Sequence, residues 1–364
     1  MDAKWREMSD ELGPFRVVLI RTRELEAIVV VDNIDIGPGI GGVRMAADVS
    51  IIEVARLARA MTMKNAAAGL PFGGAKAGII ADPSVGPRVK EHLLRTFARS
   101  IREVEDYIPG PDMGTDEACM AWIKDEIGRA VGLPKVLGGI PLNEMGATGF
   151  GLAASARAVE ELGYVSIQGM RVAVQGFGAV GGHTARYLVE RGAILVGASD
   201  VAGAVINDNG LDVTDLMEFR TTGRSIGEFP GGIQIARDNL LFLDCDVLVP
   251  AARPDVLTVA NADDVRARVI LEGANLPATR AAEVALFNRG VVVVPDFIAN
   301  AGGVICATVE YSGGTPSEAF ALIEEKVRAN TLEVLIGSKE EGIPTREAAE
   351  RMALARLGEA ASYR

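Results

Sequence analysis

Val172-Ala173-Val174-Gln175-Gly176-Phe177-Gly178-Ala179-Val180-Gly181 is the stretch whose reading decides the fold. Residues 170–174, apolar but for Arg171, read as a strand; residues 179–190 read as a helix and 193–198 as a second strand. Between the first strand and the helix lies G-x-G-x-x-G. That pattern is weak alone and specific only between a strand and a helix. Gly176 suits a tight turn, Gly178 lets the backbone approach a pyrophosphate, and Gly181 lets helix and strand pack closely. Phe177, Ala179 and Val180 fill the rest of the loop, and the helix N-terminus adds partial positive charge. Asp200 ends the second strand, 24 residues past Gly176, where a carboxylate would accept hydrogen bonds from ribose hydroxyls. Val201-Ala202-Gly203 supplies no Arg or Lys for a 2′-phosphate, so NAD is expected over NADP.

Working outward, short apolar runs at 247–249, 269–271 and 291–294 look like buried parallel strands. The alternation predicts a Rossmann-type doubly wound α/β domain over 138–334. A Gly- and Pro-rich stretch, 134–151, reads as a hinge or linker. Before it, 15–20 and 27–34 are strand-like, and a helix is expected from Ile51, with Ser50 and Glu53 forming a capping box. Another helix is expected from Thr115. These elements predict a separate α/β domain over 1–137. The tail from Ser317 is helical in pattern, and 335–364 is expected to pack back on the first domain. The string Gly37-Pro38-Gly39-Ile40-Gly41-Gly42 also fits G-x-G-x-x-G. No amphipathic helix follows it, so it reads as a loop and not as a second nucleotide site.

With 364 residues the chain suits two domains. It has no apolar run long enough to span a membrane, and MDAKWREMSDELG lacks an apolar signal core. A formal net charge of -12 argues against nucleic acid as a partner. Cys119, Cys245 and Cys306 are scattered, without metal-type spacing, so a reduced cytoplasmic setting and no metal are expected. His92 and His183 stand alone, which leaves little for a Ser-His-Asp triad.

Lys64 and Lys76 lie 12 residues apart among Ala and Gly, in Lys64-Asn65-Ala66-Ala67-Ala68-Gly69-Leu70-Pro71-Phe72-Gly73-Gly74-Ala75-Lys76. A lysine in an apolar setting is desolvated, and a second ammonium nearby acts in the same direction, as catalytic lysines require. Two surface lysines beside a glycine turn would read the same way. Asp112, in Pro109-Gly110-Pro111-Asp112-Met113-Gly114-Thr115, is either a turn aspartate or a proton carrier. Composition does not separate these readings.

At these residues the chain resembles the glutamate/leucine/phenylalanine/valine dehydrogenase family. Residues 70–83 look like its active-site signature. Ala147-Thr148-Gly149-Phe150-Gly151, the fingerprint, Pro250-Ala251-Ala252, Glu272-Gly273-Ala274-Asn275 and Asn300-Ala301-Gly302-Gly303-Val304 follow in family order. The resemblance implies two domains separated by a cleft: a substrate-binding and oligomerising domain, and an NAD-binding one. It implies oxidative deamination of an L-amino acid to the 2-oxo acid and ammonia, reversibly, by a homo-oligomer. Lys64 and Asn300 would hold the α-carboxylate, Lys76 would polarise the carbonyl and activate water, and Asp112 would shuttle protons. Ala251 and Asn275 would lie by the cofactor, and Met61 and Thr148 by the substrate.

The substrate is read from four positions. Glutamate dehydrogenases of the family carry a lysine where this chain has Ile40, and tend to carry a serine where it has Ala307. A γ-carboxylate there would enter unpaired. Ile40, Gly110, Val304 and Ala307 therefore favour a branched-chain, leucine-like substrate. The first 85 residues also look most like leucine dehydrogenases, whereas 138–304 look closer to glutamate dehydrogenases. Glutamate is the alternative. A non-catalytic regulatory subunit is a further one, disfavoured by the intact Lys64, Lys76 and Asp112. A 2-hydroxy-acid dehydrogenase would need a loop histidine, which neither His92 nor His183 provides.

Overall fold

The computed structural model describes residues 9–364, so the first eight residues of the charged N-terminal stretch lie outside the described residues. Contacts divide the chain into two units: residues 1–141, 306–319 and 353–364, and residues 142–305 and 320–352.

The first unit contains β1 (Arg16–Arg21), β2 (Glu26–Asn33), β3 (Gly39–Ala46), α1 (Ile51–Ala67), β4 (Gly73–Ile80), α2 (Pro87–Ser100), β5 (Tyr107–Pro111) and α3 (Glu117–Ile127). Its sheet runs β1-β2-β4-β3-β5. β1, β2 and β4 pair antiparallel, while β3 pairs parallel with both β4 and β5. The 37–42 string, expected to be a loop, is mostly strand. Gly39 to Ala46 sit between two neighbours in the sheet, and Gly73–Ile80, read only as a glycine-rich segment, is a strand beside it. Glycine is depleted in strands because it packs nothing and costs entropy. Here close approach demands it: a Cβ on Gly74 would lie 2.1 Å from the Thr62 amide nitrogen of α1.

Side chains alternate across a strand, so the two faces differ. One carries Val29, Val31, Val43, Met45, Ala77 and Ile79 against Leu94, Phe97, Met120 and Ile123, and forms the main core. The other faces α1, with Ile28 and Val30 packed on Val54, Ala55 and Ala58. Ser50 caps α1 as expected, its side chain accepting from the Glu53 amide. Asp32 anchors the helix by accepting from Thr62 Oγ1 (2.6 Å) and Arg59 Nε (2.8 Å).

The second unit begins with α4 (Leu142–Met145) and α5 (Ala147–Glu161), so the expected linker over 134–151 is already helical at its end. Then come β6 (Arg171–Gln175), α6 (Ala179–Glu190), β7 (Ile194–Ser199), β8 (Ala204–Ile206), α7 (Val213–Thr221), β9 (Ile233–Ile235), β10 (Val247–Pro250), β11 (Val269–Leu271), α8 (Arg280–Asn288), β12 (Val292–Val294) and α9 (Asp296–Ala299). The sheet order is β12-β11-β10-β6-β7-β8-β9. The first five are parallel to their neighbours, while β8 and β9 form an antiparallel edge. The order reverses between β6 and β10, the place where doubly wound sheets bind ligands outside the carboxyl ends of their strands.

α10 (Gly302–Tyr311), α11 (Pro316–Glu341) and α12 (Thr345–Ala361) complete the chain. The tail does not return to the first unit as one block: 320–352 belong to the second unit and 353–364 to the first. The reason is electrostatic. Arg346, at the start of α12, is buried among three carboxylates of the second unit: Glu283 (2.7 Å), Glu272 (2.8 Å) and Asp296 (2.9 Å). Thr345 Oγ1 also donates to the Val293 carbonyl. Ten residues on, Arg356 donates to the Ala67 carbonyl (2.6 Å) at the end of α1, in the first unit.

Candidate active site

The site residues fall into two sets, one in each unit. In the first unit the α1-facing side of the sheet holds Ile40, Gly42 and Arg44 on β3, and Gly74 and Lys76 on β4; Ile108 and Gly110 on β5 pair with Ile40 and Gly42. Lys76 is 7% exposed, and its Nζ lies 2.8 Å from Asp112 Oδ2. Asp112 follows β5 in a turn held by Thr115, whose Oγ1 accepts from the Asp112 amide (3.0 Å) and donates to the Val43 carbonyl (2.8 Å). The lysine and aspartate are 36 residues apart in sequence, and parallel β3, β4 and β5 bring them together.

Glycine forms the floor beside the pair. A Cβ on Gly42 would lie 2.7 Å from Asp112 Cβ and 3.2 Å from Lys76 Nζ. Burial alone would push the Asp112 carboxyl up. The Lys76 ammonium, its hydrogen bond, the Met113 amide and the Arg44 guanidinium outweigh burial and hold the carboxyl below its ordinary value. Arg44 is a residue the sequence reading missed: its Nε lies 3.1 Å from the same Asp112 oxygen. Lys64 and Met61 lie one turn apart on α1, both half-buried. Ile40 is buried and flanked in register by Gly74 and Ile108, so its surroundings in the sheet are apolar. Ala307 is half-buried on α10.

The second set lies at the carboxyl ends of β6, β10, β11 and β12. Gly176 has φ +92, and its amide and that of Phe177 both donate to the Ser199 carbonyl (3.1 and 2.6 Å). A Cβ on Gly178 would meet nothing within 4 Å, which leaves open space in front of the α6 N-terminus. A Cβ on Gly181 would lie 2.1 Å from the Gly176 carbonyl oxygen, so helix and loop are in close contact there. Ala179 is exposed and Val180 half-buried at the start of α6. Ala251 donates its amide to the Gln175 carbonyl (2.7 Å), tying β10 to the fingerprint turn. The exposed Gly178 and Ala179, at a helix N-terminus with open space before it, fit a pyrophosphate.

Asn300 is buried, and its Nδ2 donates to Asn275 Oδ1 (3.1 Å) and to the Gly273 and Ala274 carbonyls. Asn275 itself is exposed. Its loop is fixed by Asp296, which accepts from the Leu276 amide (2.8 Å). Thr148 and Val304 are half-buried, and Thr148 Oγ1 lies 3.2 Å from where a Gly303 Cβ would be.

Asp200 is more committed than its sequence position implies. Oδ1 accepts from the amides of Ala202 (2.8 Å) and Gly203 (3.0 Å) and from Ser225 Oγ (2.9 Å), while Oδ2 accepts from the Ile226 amide (2.7 Å). A carboxylate has about four acceptor positions, so little capacity remains for a ribose. Burial raises this carboxyl, but the Ile226, Ala202 and Gly203 amides and Ser225 together hold it below its ordinary value. Cations absent from 201–203 also arrive by folding. Arg237 Nη1 donates to the Val201 carbonyl (3.2 Å), and Arg224 stands next to Ser225. The argument against a 2′-phosphate loses force accordingly.

Among the described residues, no cluster of His, Cys, Asp and Glu could hold a metal, and no helix is long and apolar enough to cross a membrane. Cys119, Cys245 and Cys306 are buried and unbridged. Residues 16–129 match the description "Glu/Leu/Phe/Val dehydrogenase, dimerisation domain", and residues 138–364 match "Glutamate/Leucine/Phenylalanine/Valine dehydrogenase". The chain is 38% identical over 355 residues to a glutamate dehydrogenase of Aeropyrum pernix, covering 91% of this chain and 85% of that protein. It is 40% identical over 303 residues to an NADP-specific glutamate dehydrogenase of Saccharolobus shibatae, covering 79% and 71%. Its fold is similar to a hetero-hexameric glutamate dehydrogenase from Thermus thermophilus in a Leu-bound form, with a TM-score of 0.83 and 31% identity, covering 95% and 89%.

Proposed function

The chain belongs to the glutamate/leucine/phenylalanine/valine dehydrogenase family and is an amino-acid dehydrogenase, and from that premise we propose that it interconverts L-glutamate with 2-oxoglutarate and ammonia using NAD. The observation that carries the chemistry is the buried Lys76 ammonium 2.8 Å from Asp112 above a glycine floor. Lys64 and Asn300 hold the α-carboxylate. Lys76 polarises the substrate carbonyl and steadies the attacking water. Asp112 takes a proton from the amine or the water and returns it. The hydride chemistry would be supplied by the bound dinucleotide, as acceptor of the hydride on the substrate Cα. The Gly176–Gly181 turn would hold its pyrophosphate, Asn275 and Ala251 would line the same site, and Asp200 would shape the turn at the ribose end. The dimerisation-domain match supports a homo-oligomer assembled through the first unit.

Glutamate is supported by relatives aligned along most of the chain. Under this reading the γ-carboxylate is met by a group other than residues 40 and 307. The specific observation favouring an apolar, leucine-like amino acid is the buried Ile40, on the same sheet face as Lys76 and flanked by Gly74 and Ile108, with Ala307 at the second expected polar position. One assay decides between them: reduced-cofactor formation at alkaline pH with glutamate, leucine, valine and phenylalanine, each with NAD and with NADP. Glutamate exceeding the others supports the proposal, and an apolar substrate exceeding it installs the second reading. Silence with every pair moves weight to a regulatory subunit.

A further inference from the structure

Arg44 shares a strand face with Gly42 and reaches the same oxygen of Asp112 that Lys76 holds: Nε to Oδ2 is 3.1 Å and Nζ to Oδ2 is 2.8 Å. Oδ1 takes neither cation. Arg44 Nη1 is in turn paired with Glu53 Oε1 of α1. The Arg44 and Asp112 side chains are 19% and 20% exposed, so the pairing is partly shielded from solvent. We propose that Arg44 is a positioning residue that keeps Asp112 ionised and in one orientation throughout turnover, leaving Oδ1 for the reacting amine. The inference deepens the proposed function and rests on its reading of Asp112 as the proton carrier.

The physical ground is the difference between the two cations. An ammonium can shed its proton during turnover, whereas a guanidinium does not. A carboxylate held by Lys76 alone would lose its counter-charge at any step in which that lysine is neutral. It would then hold its own proton more tightly, in a site where burial already favours the neutral acid. Arg44 supplies the constant charge. The elements packed around Asp112 carry other ionisable groups: Lys76 on β4; Glu53, Arg56, Arg59 and Lys64 on α1; the buried Tyr107 on β5; Asp116 before α3; and Glu117, Cys119, Lys124, Asp125 and Glu126 on α3. Tyr107 is held neutral, first by burial and then by Asp112 itself. Its hydroxyl donates to the Gly41 carbonyl (3.0 Å).

The test is the pH profile of kcat/KM for oxidative deamination of glutamate, or of the best substrate in the parallel assay, in Arg44→Met, Arg44→Lys and Glu53→Gln. Asp112 must be ionised to act, so its pKa sets the acid limb. Removing a neighbouring cation should raise that limb by about one pH unit in Arg44→Met. Arg44→Lys should restore most of the shift while keeping the charge. Glu53→Gln removes the anion that shares Arg44, and should move the limb the other way. Opposite shifts in the two neutralising variants support the inference. A uniformly lower plateau with the acid limb unmoved would make Arg44 merely structural and overturn it. If Arg44→Met does not fold, Glu53→Gln with an unmoved limb overturns it equally. Asp112→Asn separates the two levels: near-wild-type turnover there sinks the underlying reading, whereas a dead Asp112→Asn with an unmoved Arg44→Met limb sinks only the role of Arg44.

Discussion

Replacing Arg346 by methionine should destabilise the second unit by an amount that grows with pH. The guanidinium is 6% exposed and faces side chains of Glu272, Glu283 and Asp296 that are 0%, 5% and 7% exposed. Removing one partner of a buried ion pair costs about 3–5 kcal/mol, because the other charge is left uncompensated. For a unit of this size each kcal/mol lowers Tm by about 2–4 °C, so the loss near neutral pH is about 6–20 °C. The sign of the pH dependence follows from the carboxyls. Burial pushes Glu272 well above its ordinary value, Arg346 pulls it back, and Glu283 and Asp296 push it further. Burial also raises Glu283, against the pull of Arg346. A raised carboxyl keeps a proton that the unfolded chain releases above about pH 4.5, so stability falls as pH rises from there through the raised native values. Without Arg346 both carboxyls rise further and the fall steepens. The variant should therefore lie close to wild type at pH 5 and far below it at pH 8. Calorimetry is the right assay, because it registers the unfolding of either unit, whereas Trp122 belongs to the first. A loss under about 1 kcal/mol, or one equal at both pH values, would refute the reasoning.

Three further outcomes follow from the site. Lys76→Ala should lower kcat by about 10²–10⁴-fold while calorimetric titration still shows dinucleotide binding; near-wild-type turnover would remove Lys76 from the chemistry. Ile40→Lys should raise the glutamate-to-leucine ratio of kcat/KM by about tenfold or more, equivalent to about 1.4 kcal/mol, and an unchanged ratio would mean that residue 40 does not face the substrate side chain. Asp200→Asn should shift the NADP-to-NAD ratio by less than about tenfold, because protein donors already occupy most of the carboxylate's acceptor positions; a larger shift would show that the ribose competes with them successfully.

Local pattern and long-range pairing divide what could be read in advance. The fingerprint, its helix Ala179–Glu190 and strand Val269–Leu271 were legible because each is a short run with a strong period and clear punctuation. β3 and β4 were not, since Gly39-Ile40-Gly41-Gly42 and Gly73-Gly74 look like loops until the packing of α1 against the sheet is known. Lys76 and Asp112 could be nominated, but their meeting depends on three parallel strands. Arg44 reaches Asp112 across 68 residues and Arg346 reaches Glu272 across 74, with no local signal at either end. Asp200 was read from its neighbours in sequence, while two of its four donors come from residues 225 and 226.

The division of α12 between the two units has a consequence for truncation. Arg346 neutralises carboxylates in one unit and Arg356 satisfies the end of α1 in the other. A cut before Thr345 removes both at once. It leaves the second unit with buried carboxylates short of their cation and the first with an α1 terminus short of a donor. A cut between Ala348 and Arg356 separates the two losses, because Arg346 stays with its carboxylates while the end of α1 alone loses its partner.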